Sequence, residues 1–213
     1  MSRASSSFSF SDPDLLTGRL FFAVPVPGPT RAPLEALLPE LGRALPGARL
    51  PVASGWHLTL AFLGNVRAEE AAAVVGVGET AAAAAQPANL QLHGAGAFPN
   101  PRRARVLWAG VASEFETLVT LAAALAAACR EAGLRFEDRD LVPHLTLARL
   151  PQPAPLPEPV IELVTAASAQ SPGWRARELC CYRSIISRTG ARYQVVRSFP
   201  LGDEVARQPT EQP

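Results

Sequence analysis

The string HLTLA occurs twice in this chain of 213 residues, at positions 57–61 and again at 144–148. The two copies contain two of the three histidines in the sequence. In both copies bulky apolar residues alternate with polar ones, a pattern that indicates a β-strand with one buried face. Any fold for this chain must therefore accommodate two strands of nearly the same sequence.

The segments that flank the two strings repeat as well. An apolar run around Leu20 precedes His57 by 37 residues, and a similar run around Val106 precedes His144 by 38 residues. Each unit reads strand, helix, HLTL strand, helix, strand. The predicted strands are 19–26, 56–64, 89–98, 105–111, 144–150, 177–187 and the closing 191–199, and the predicted helices are 30–45, 68–85, 114–132 and 159–168. This duplication predicts two similar lobes related by a pseudo-twofold axis, with the repeated strings lining the groove between them.

The ends of the chain and one internal stretch depart from this pattern. Residues 1–17 are rich in serine and are expected to be a disordered tail, and 203–213 are expected to be a C-terminal tail. Residues 18–202 are expected to form a single bilobal domain. The stretch PQPAPLPEPV, residues 151–160, is predicted to be a loop because it is too rich in proline for a helix or a central strand.

Charge and composition exclude some classes of function. The formal net charge is +1, and all 20 basic residues are arginine, so no strongly basic surface for long duplex nucleic acid is expected. A short nucleic-acid end remains possible. Arg102, Arg103 and Arg105 form a basic segment that either contacts an RNA backbone or is a solvated loop.

The three cysteines are Cys129, Cys180 and Cys181. An odd number with one adjacent pair does not fit a disulfide framework, and the spacing fits no zinc site. No segment approaches the roughly 18 consecutive apolar residues of a membrane span. We therefore expect a cytoplasmic protein without a membrane segment and without a bound metal.

The repeated string also carries chemistry. On a strand, His57 and Thr59 point to one face and the leucines to the other, and the same holds for His144 and Thr146. Two imidazoles across a groove can act as general acid and general base, because their ordinary pKa is about 6.5. Threonine hydroxyls can donate hydrogen bonds to an anion, which suits in-line displacement at phosphorus. Alternatively, duplication alone preserved the string in a structural role.

Paired H-x-T-x motifs, together with the strands RLFFAV and VLWAGV and the closing CYRSIISRTGARYQVV, resemble the two-histidine (2H) phosphoesterase superfamily. Within it the chain is similar to the RNA 2′,3′-cyclic phosphodiesterases, also called 2′-5′ RNA ligases. The resemblance covers about residues 18–200 and implies a duplicated bilobal α+β fold. In that fold two mostly antiparallel sheets face a central cleft and the helices lie outside.

The resemblance also implies roles for individual residues. His57 is expected to donate a proton to the leaving 3′ oxygen, and His144 to accept a proton from the attacking water. Thr59 and Thr146 are expected to bind the non-bridging phosphate oxygens. No metal and no cofactor is implied.

Three further residues are expected to contact the substrate by the same resemblance. Arg149 adds a charged donor, Phe62 stacks on the nucleotide, and Tyr182 matches the C-terminal strand pattern, as do Ser184 and Tyr193. Strict strand alternation groups Arg149 with Leu147 and not with Thr146, which would place it at the rim of the core side. The third histidine, His93, lies outside the motifs and is expected to be structural.

The reaction that follows is hydrolysis of a 2′,3′-cyclic phosphodiester, at an RNA 3′ end or in a small cyclic nucleotide, to a 2′-phosphomonoester. Two alternatives stay open. One is a 2′-5′ RNA ligase acting on tRNA halves, and the other is a non-catalytic module that binds RNA ends. A monomer is expected.

Overall fold

The computed structural model describes residues 16–138, 140–187 and 190–202. Both predicted tails lie outside these ranges, apart from residues 16 and 17. The described strands are β1 (Gly18–Pro25), β2 (His57–Val66), β3 (Ala88–Phe98), β4 (Ala104–Ser113), β5 (His144–Ala154), β6 (Trp174–Ala176), β7 (Glu178–Ser187) and β8 (Gly190–Pro200). The α-helices are α1 (Gly28–Glu35), α2 (Leu38–Ala44), α3 (Ala71–Ala83), α4 (Phe115–Glu131) and α5 (Glu158–Gln170).

The eight described strands form one antiparallel sheet in the order β6-β3-β4-β5-β2-β1-β7-β8. The HLTL strands β2 and β5 are its two central strands, and they pair at Leu58 and Leu145. The two predicted sheets are the two halves of this sheet, β6-β3-β4-β5 and β2-β1-β7-β8, which meet at that pair. The predicted duplicated α+β class with antiparallel strands is confirmed.

The two sequence units exchange strands. β3 follows the first HLTL strand in the chain, yet it pairs with β4 and β6 of the second half. β7 follows the second HLTL strand, yet it pairs with β1 of the first half. Each half of the sheet therefore contains strands from both units.

The helix predicted over residues 30–45 is two helices in the structure. α1 ends at Glu35 and α2 begins at Leu38, with Pro39 in the first turn of α2. Proline has no N–H to donate and clashes with the preceding turn inside a helix, but it is well suited to a first turn. Pro39 therefore starts a new helix instead of being accommodated within one.

The proline-rich stretch is a loop only in part. β5 continues through residues 151–154, and α5 begins at Glu158, so residues 155–157 form the connection. The prediction of a loop over 151–160 was wrong at both ends. The strand accepts the prolines because the pairing of β5 with β4 is irregular between Arg149 and Ala154. In an irregular stretch a residue need not donate a hydrogen bond to the neighbouring strand, and proline has no N–H to donate.

The helices cover one face of the sheet and leave the other open. Alternate residues of β1 show the division: Leu20, Phe22 and Val24 lie in the main core, whereas Phe21 and Ala23 lie in a smaller cluster on the opposite face. Leucines of α4 and apolar residues of α3 and α5 complete the main core. In the described residues no helix is both long enough and apolar enough to cross a membrane.

Candidate active site

The register of the two central strands brings the two motifs together. Leu58 pairs with Leu145 in an antiparallel arrangement, so His57 lies across from Thr146 and Thr59 lies across from His144. The leucines of both motifs are buried in the core, and the histidines and threonines lie on the opposite face. The four polar residues form a rectangle with the two histidines on one diagonal.

The two imidazoles have the same orientation. Nδ1 of His57 donates a hydrogen bond to the carbonyl oxygen of Gly55 at 2.7 Å, and Nδ1 of His144 donates to the carbonyl oxygen of Val142 at 2.7 Å. A carbonyl oxygen can only accept, so each Nδ1 carries a proton. In both neutral rings Nε2 is then the nitrogen that can exchange a proton with a substrate.

Burial changes the acidity of both histidines. Removal from solvent lowers the pKa of His57 to about 4, against the opposing effect of its hydrogen bond to Gly55. The charge of Arg149 and the neighbouring His144 lower it further. Burial also lowers the pKa of His144, again with a contribution from Arg149. Both imidazoles are therefore neutral at pH 7 when the site is empty.

Aromatic rings surround each histidine. The ring of His57 has its centroid 4.7 Å from Phe21, 5.1 Å from Tyr182 and 4.8 Å from Tyr193. The ring of His144 lies 4.8 Å from Phe98 and 6.2 Å from Trp108. These contacts account for the partial burial of the two imidazoles and restrict their orientation.

Tyr182 is a packing residue in this structure. It is 5% exposed and stacks on Phe21 with ring centroids 5.2 Å apart. Its ring packs against the imidazole of His57 and helps to hold it in place. A contact of Tyr182 with substrate stays a prediction. Tyr193 and Ser184, from the same C-terminal strands, line the cleft.

Phe62 and Arg149 both line the cleft. Leu60 of β2 has no pairing partner on β1, and Leu147 of β5 has none on β4. Each motif therefore contains a β-bulge at its second leucine. A bulge reverses the alternation of the strand beyond it. Arg149 therefore points to the same face as Thr146, which strict alternation from the sequence did not allow.

The cleft has a volume of about 710 Å³ on the open face of the sheet. His57, Thr59 and His144 line its floor, and a smaller adjoining pocket adds Thr146. The structure thus brings together all four motif residues with Phe62 and Arg149. His93 is exposed on β3 and lines neither the cleft nor the adjoining pocket.

Three charged residues of the cleft were not predicted from the sequence. Arg19 lies with its guanidinium carbon 5.2 Å from the centre of the Phe62 ring, and Glu137 and Asp140 line the same cleft. The backbone N–H of Glu137 donates to the carbonyl oxygen of Phe62 at 2.9 Å. No motif connects these residues in the sequence, because only folding brings Glu137 beside β2.

Metal-binding side chains are not clustered in the part of the chain that the structure describes. Within it no group of three or more histidine, cysteine, aspartate or glutamate side chains is placed to hold an ion. The expected independence from metal stays a prediction that experiment must test.

A duplicated α+β fold whose two H-x-T strands meet at one cleft defines the class of two-histidine phosphoesterases. Residues 53–185 match the model of the 2′-5′ RNA ligase superfamily, and the chain belongs to that superfamily.

Curated relatives and solved structures agree with this assignment. The chain is 33% identical over 182 residues to the RNA 2′,3′-cyclic phosphodiesterase of Archaeoglobus fulgidus, covering 85% of this chain and 99% of the relative. It is 32% identical over 205 residues to the protein of that name from Thermus thermophilus, covering 92% and 98%. The crystal structure of Escherichia coli LigT complexed with 3′-AMP superposes with a TM-score of 0.63 at 26% identity, covering 87% of this chain and 98% of LigT.

Proposed function

We propose that this protein is an RNA 2′,3′-cyclic phosphodiesterase that opens the cyclic phosphate at an RNA or nucleotide end to give a 2′-phosphomonoester. The observation that carries the proposal is the rectangle of His57, Thr146, His144 and Thr59 on one antiparallel strand pair. Two relatives are named RNA 2′,3′-cyclic phosphodiesterase and LigT forms a complex with 3′-AMP, which supports the same substrate class.

The diagonal arrangement of the histidines suits in-line displacement. A phosphorus atom above the centre of the rectangle has one imidazole on each side, as attacking and leaving oxygens on opposite sides require. In the proposed mechanism Nε2 of His144 accepts a proton from water, and the oxygen of that water bonds to phosphorus. The bond to the 3′ oxygen breaks, and this oxygen takes a proton from Nε2 of His57.

The threonines occupy the other diagonal. Their hydroxyl groups are proposed to donate hydrogen bonds to the two non-bridging phosphate oxygens, whose charge grows as the fifth bond to phosphorus forms. Arg149 adds a guanidinium beside Thr146, where its positive charge stabilises the same anion. The chain thus supplies an acid, a base and anion donors from its own side chains, so we propose that it needs no metal.

Protonation of His57 is coupled to substrate in this mechanism. Burial favours the neutral ring in the empty site, whereas a bound phosphate places a negative charge beside it and favours the imidazolium. One turnover transfers a proton from His144 to solvent and restores one on His57. The acid is therefore formed in the complex, where it is used.

Phe62 is proposed to contribute to the base-binding end of the cleft. Its ring lies near the guanidinium group of Arg19. It also lies near Phe21, and the centroids of the two phenyl rings are 6.2 Å apart. Both phenyl rings and guanidinium planes stack on nucleobases. We propose that the base of the terminal nucleotide packs against this group.

The rest of the proposal concerns the setting of the enzyme. Both histidines come from one chain, so a monomer is sufficient for activity. The three cysteines are free and buried, which fits the reducing environment proposed for a cytoplasmic enzyme.

Product analysis tests the proposal directly. An oligonucleotide ending in a 2′,3′-cyclic phosphate and free cyclic mononucleotides are incubated with the protein, and the products are resolved by chromatography. A 2′-phosphate product is expected. A 3′-phosphate product, or no turnover of either substrate by folded protein, contradicts it.

Ligation is the second candidate, because the superfamily is described by that activity. It is the reverse displacement, with the 5′-hydroxyl of a second RNA in place of water. Incubating tRNA halves and comparing joined with hydrolysed product separates the two reactions. A non-catalytic RNA-end binder predicts binding without either product.

A further inference from the structure

One end of the cleft continues into a group of arginines that the mechanism does not use. The backbone N–H of Arg49 donates to the carbonyl oxygen of Arg149 at 2.8 Å, and Arg149 donates back to Arg49 at 2.9 Å. On its other side Arg149 pairs with Val106 of β4. Because paired strands lie about 4.8 Å apart, Arg49, Arg149 and Val106 form one row across the end of the cleft.

The turn between β3 and β4 lies beyond this row and is firmly fixed. The Asn100 side-chain oxygen accepts hydrogen bonds from the backbone N–H groups of Arg102 and Arg103, each at 3.1 Å. The backbone N–H of Leu156 donates to the carbonyl oxygen of Pro101 at 2.9 Å. The turn therefore presents Arg102 and Arg103 from a defined backbone, although both side chains are exposed.

This turn is continuous with the active site. Phe98 on the strand before it and Val106 on the strand after it both line the cleft, and Phe98 contacts the ring of His144. We call the side chains of Arg49, Arg102 and Arg103 the arginine surface. All three are exposed.

The charges of the arginine surface are not neutralised by ion pairs with described residues. Across residues 16–138, 140–187 and 190–202, Arg31, Arg67 and Arg130 form ion pairs, whereas Arg49, Arg102 and Arg103 form none with a described residue. Three unpaired guanidinium groups beside an anion-binding cleft create a positive potential at this end of it.

The strand register indicates which part of a substrate reaches this end. His57 and Thr146 form the row of the rectangle nearer to Arg149, and Thr59 and His144 form the farther row. The 3′ side of the ribose, whose oxygen is protonated by His57, therefore lies nearer to Arg149, whereas its 2′ side and the base lie toward Phe62. An RNA chain extending from the 5′ side of this ribose has a direct course toward the arginine surface.

We propose that the arginine surface binds the phosphodiester backbone of an RNA strand upstream of its reacting 3′ end. The proposal rests on the proposed function for the polarity of the strand. Guanidinium groups bind phosphates through paired N–H donors without reading the base. The surface thus favours RNA ends of any sequence over cyclic mononucleotides, which have no upstream phosphate.

The test compares the wild type with the double variant Arg102→Gln/Arg103→Gln. Substrates are a single-stranded RNA of six nucleotides that ends in a 2′,3′-cyclic phosphate and the matching cyclic mononucleotide. For the RNA we expect kcat/KM to fall about 10-fold. Its dependence on salt should also weaken, with the slope of log(kcat/KM) against log[salt] flatter by about 1.4 for two lost contacts with a single strand. Mononucleotide turnover should change less than twofold.

Arg175→Gln is the matched control. Arg175 is also exposed, but it pairs with Asn89, at the opposite end of β3 from the turn that contains Arg102 and Arg103. This variant should leave RNA turnover and its salt dependence as in the wild type. An equal loss for RNA and mononucleotide in the double variant, or an unchanged salt slope, overturns the proposal.

A binding measurement separates this proposal from the proposed function. A fluorescent RNA of six nucleotides with a 3′-phosphate is titrated with each protein, and anisotropy gives Kd without any turnover. Weaker binding by the double variant supports the arginine surface even if the wild type hydrolyses neither substrate. Equal Kd values for the double variant and the wild type overturn it, whatever the catalytic result.

Discussion

Phe62 and Arg149 occupy equivalent positions in the two halves of the sheet. Each lies five residues after its motif histidine. A β-bulge two residues earlier directs each side chain into the cleft, at Leu60 for Phe62 and at Leu147 for Arg149. The backbone is thus repeated while the chemistry differs. One half presents an aromatic ring to the substrate and the other presents a positive charge.

Removing either imidazole is expected to abolish most activity. His57→Ala and His144→Ala should each lower kcat for a 2′,3′-cyclic mononucleotide by at least 10²-fold, the usual contribution of a general acid or base. His93→Ala is the matched control, since His93 is exposed on β3. Steady-state kinetics on variants with native circular dichroism provides the measurement. Wild-type activity in either motif variant is incompatible with the mechanism.

The threonine hydroxyls are expected to act on the transition state. Thr59→Val and Thr146→Val keep the shape of the side chain but remove the donor, and each should reduce kcat by about 10²-fold, with less change in KM. Thr→Ser at the same positions retains the hydroxyl and should recover most of the rate. Equal losses for valine and serine would point to packing as the cause.

The pH dependence of kcat/KM should reflect the two lowered pKa values. The active free enzyme has one proton on the imidazole pair, and because both pKa values lie below 6.5, this form is most abundant below pH 6.5. We expect kcat/KM to be maximal there and to fall as the pH rises and the acid loses its proton. The optimum of kcat should lie at higher pH, since bound phosphate raises the pKa of His57. Rate profiles from pH 4 to 9 test this, and a kcat/KM optimum above pH 7 contradicts it.

Arg149 is expected to bind the phosphate through its fork of N–H donors. Arg149→Ala should reduce kcat/KM by about 10- to 100-fold, since a hydrogen bond to a charged group contributes roughly 1.5–3 kcal/mol. Arg149→Lys retains the charge but not the planar fork and should recover only part of the loss. Full activity of the alanine variant on both RNA and mononucleotide would remove Arg149 from the site.

Chelation of metals is expected to have no effect on turnover. The proposed acid, base and anion donors are all side chains of this chain, so prior dialysis against EDTA should leave kcat unchanged within twofold. Addition of Mg²⁺ or Mn²⁺ afterwards should not raise it. A loss of more than tenfold that is restored by one of these ions would show that a metal participates.

Much of the fold was predictable because its signals are local. The alternation in HLTLA requires only that a strand has one buried face, and the structure buries Leu58 and Leu145 at 0% and 1% exposure. Leucines at helical spacing likewise predicted the long helix α4. The repeat itself predicted that the two motifs would be related by symmetry.

Other features depended on partners that are distant in the chain. The two β-bulges exist because of the register that β1 and β4 impose on β2 and β5, and no residue of the motifs signals them. The aromatic surroundings of His57 come from β1, β7 and β8, and these rings lower its pKa by excluding water. Arg19, Glu137 and Asp140 line the cleft only once the strands have paired into the sheet.

The sequence by itself therefore determined the two H-x-T strands, their polar and apolar faces and the candidate acid and base, because side-chain direction on a strand follows from its period of two. Only the tertiary structure decided that Arg149 enters the cleft, that β3 and β7 exchange halves, and that Arg49, Arg102 and Arg103 lie at one end of the site. Strand pairing and register set these relationships, and both depend on the free energy of the whole sheet and not on any one segment.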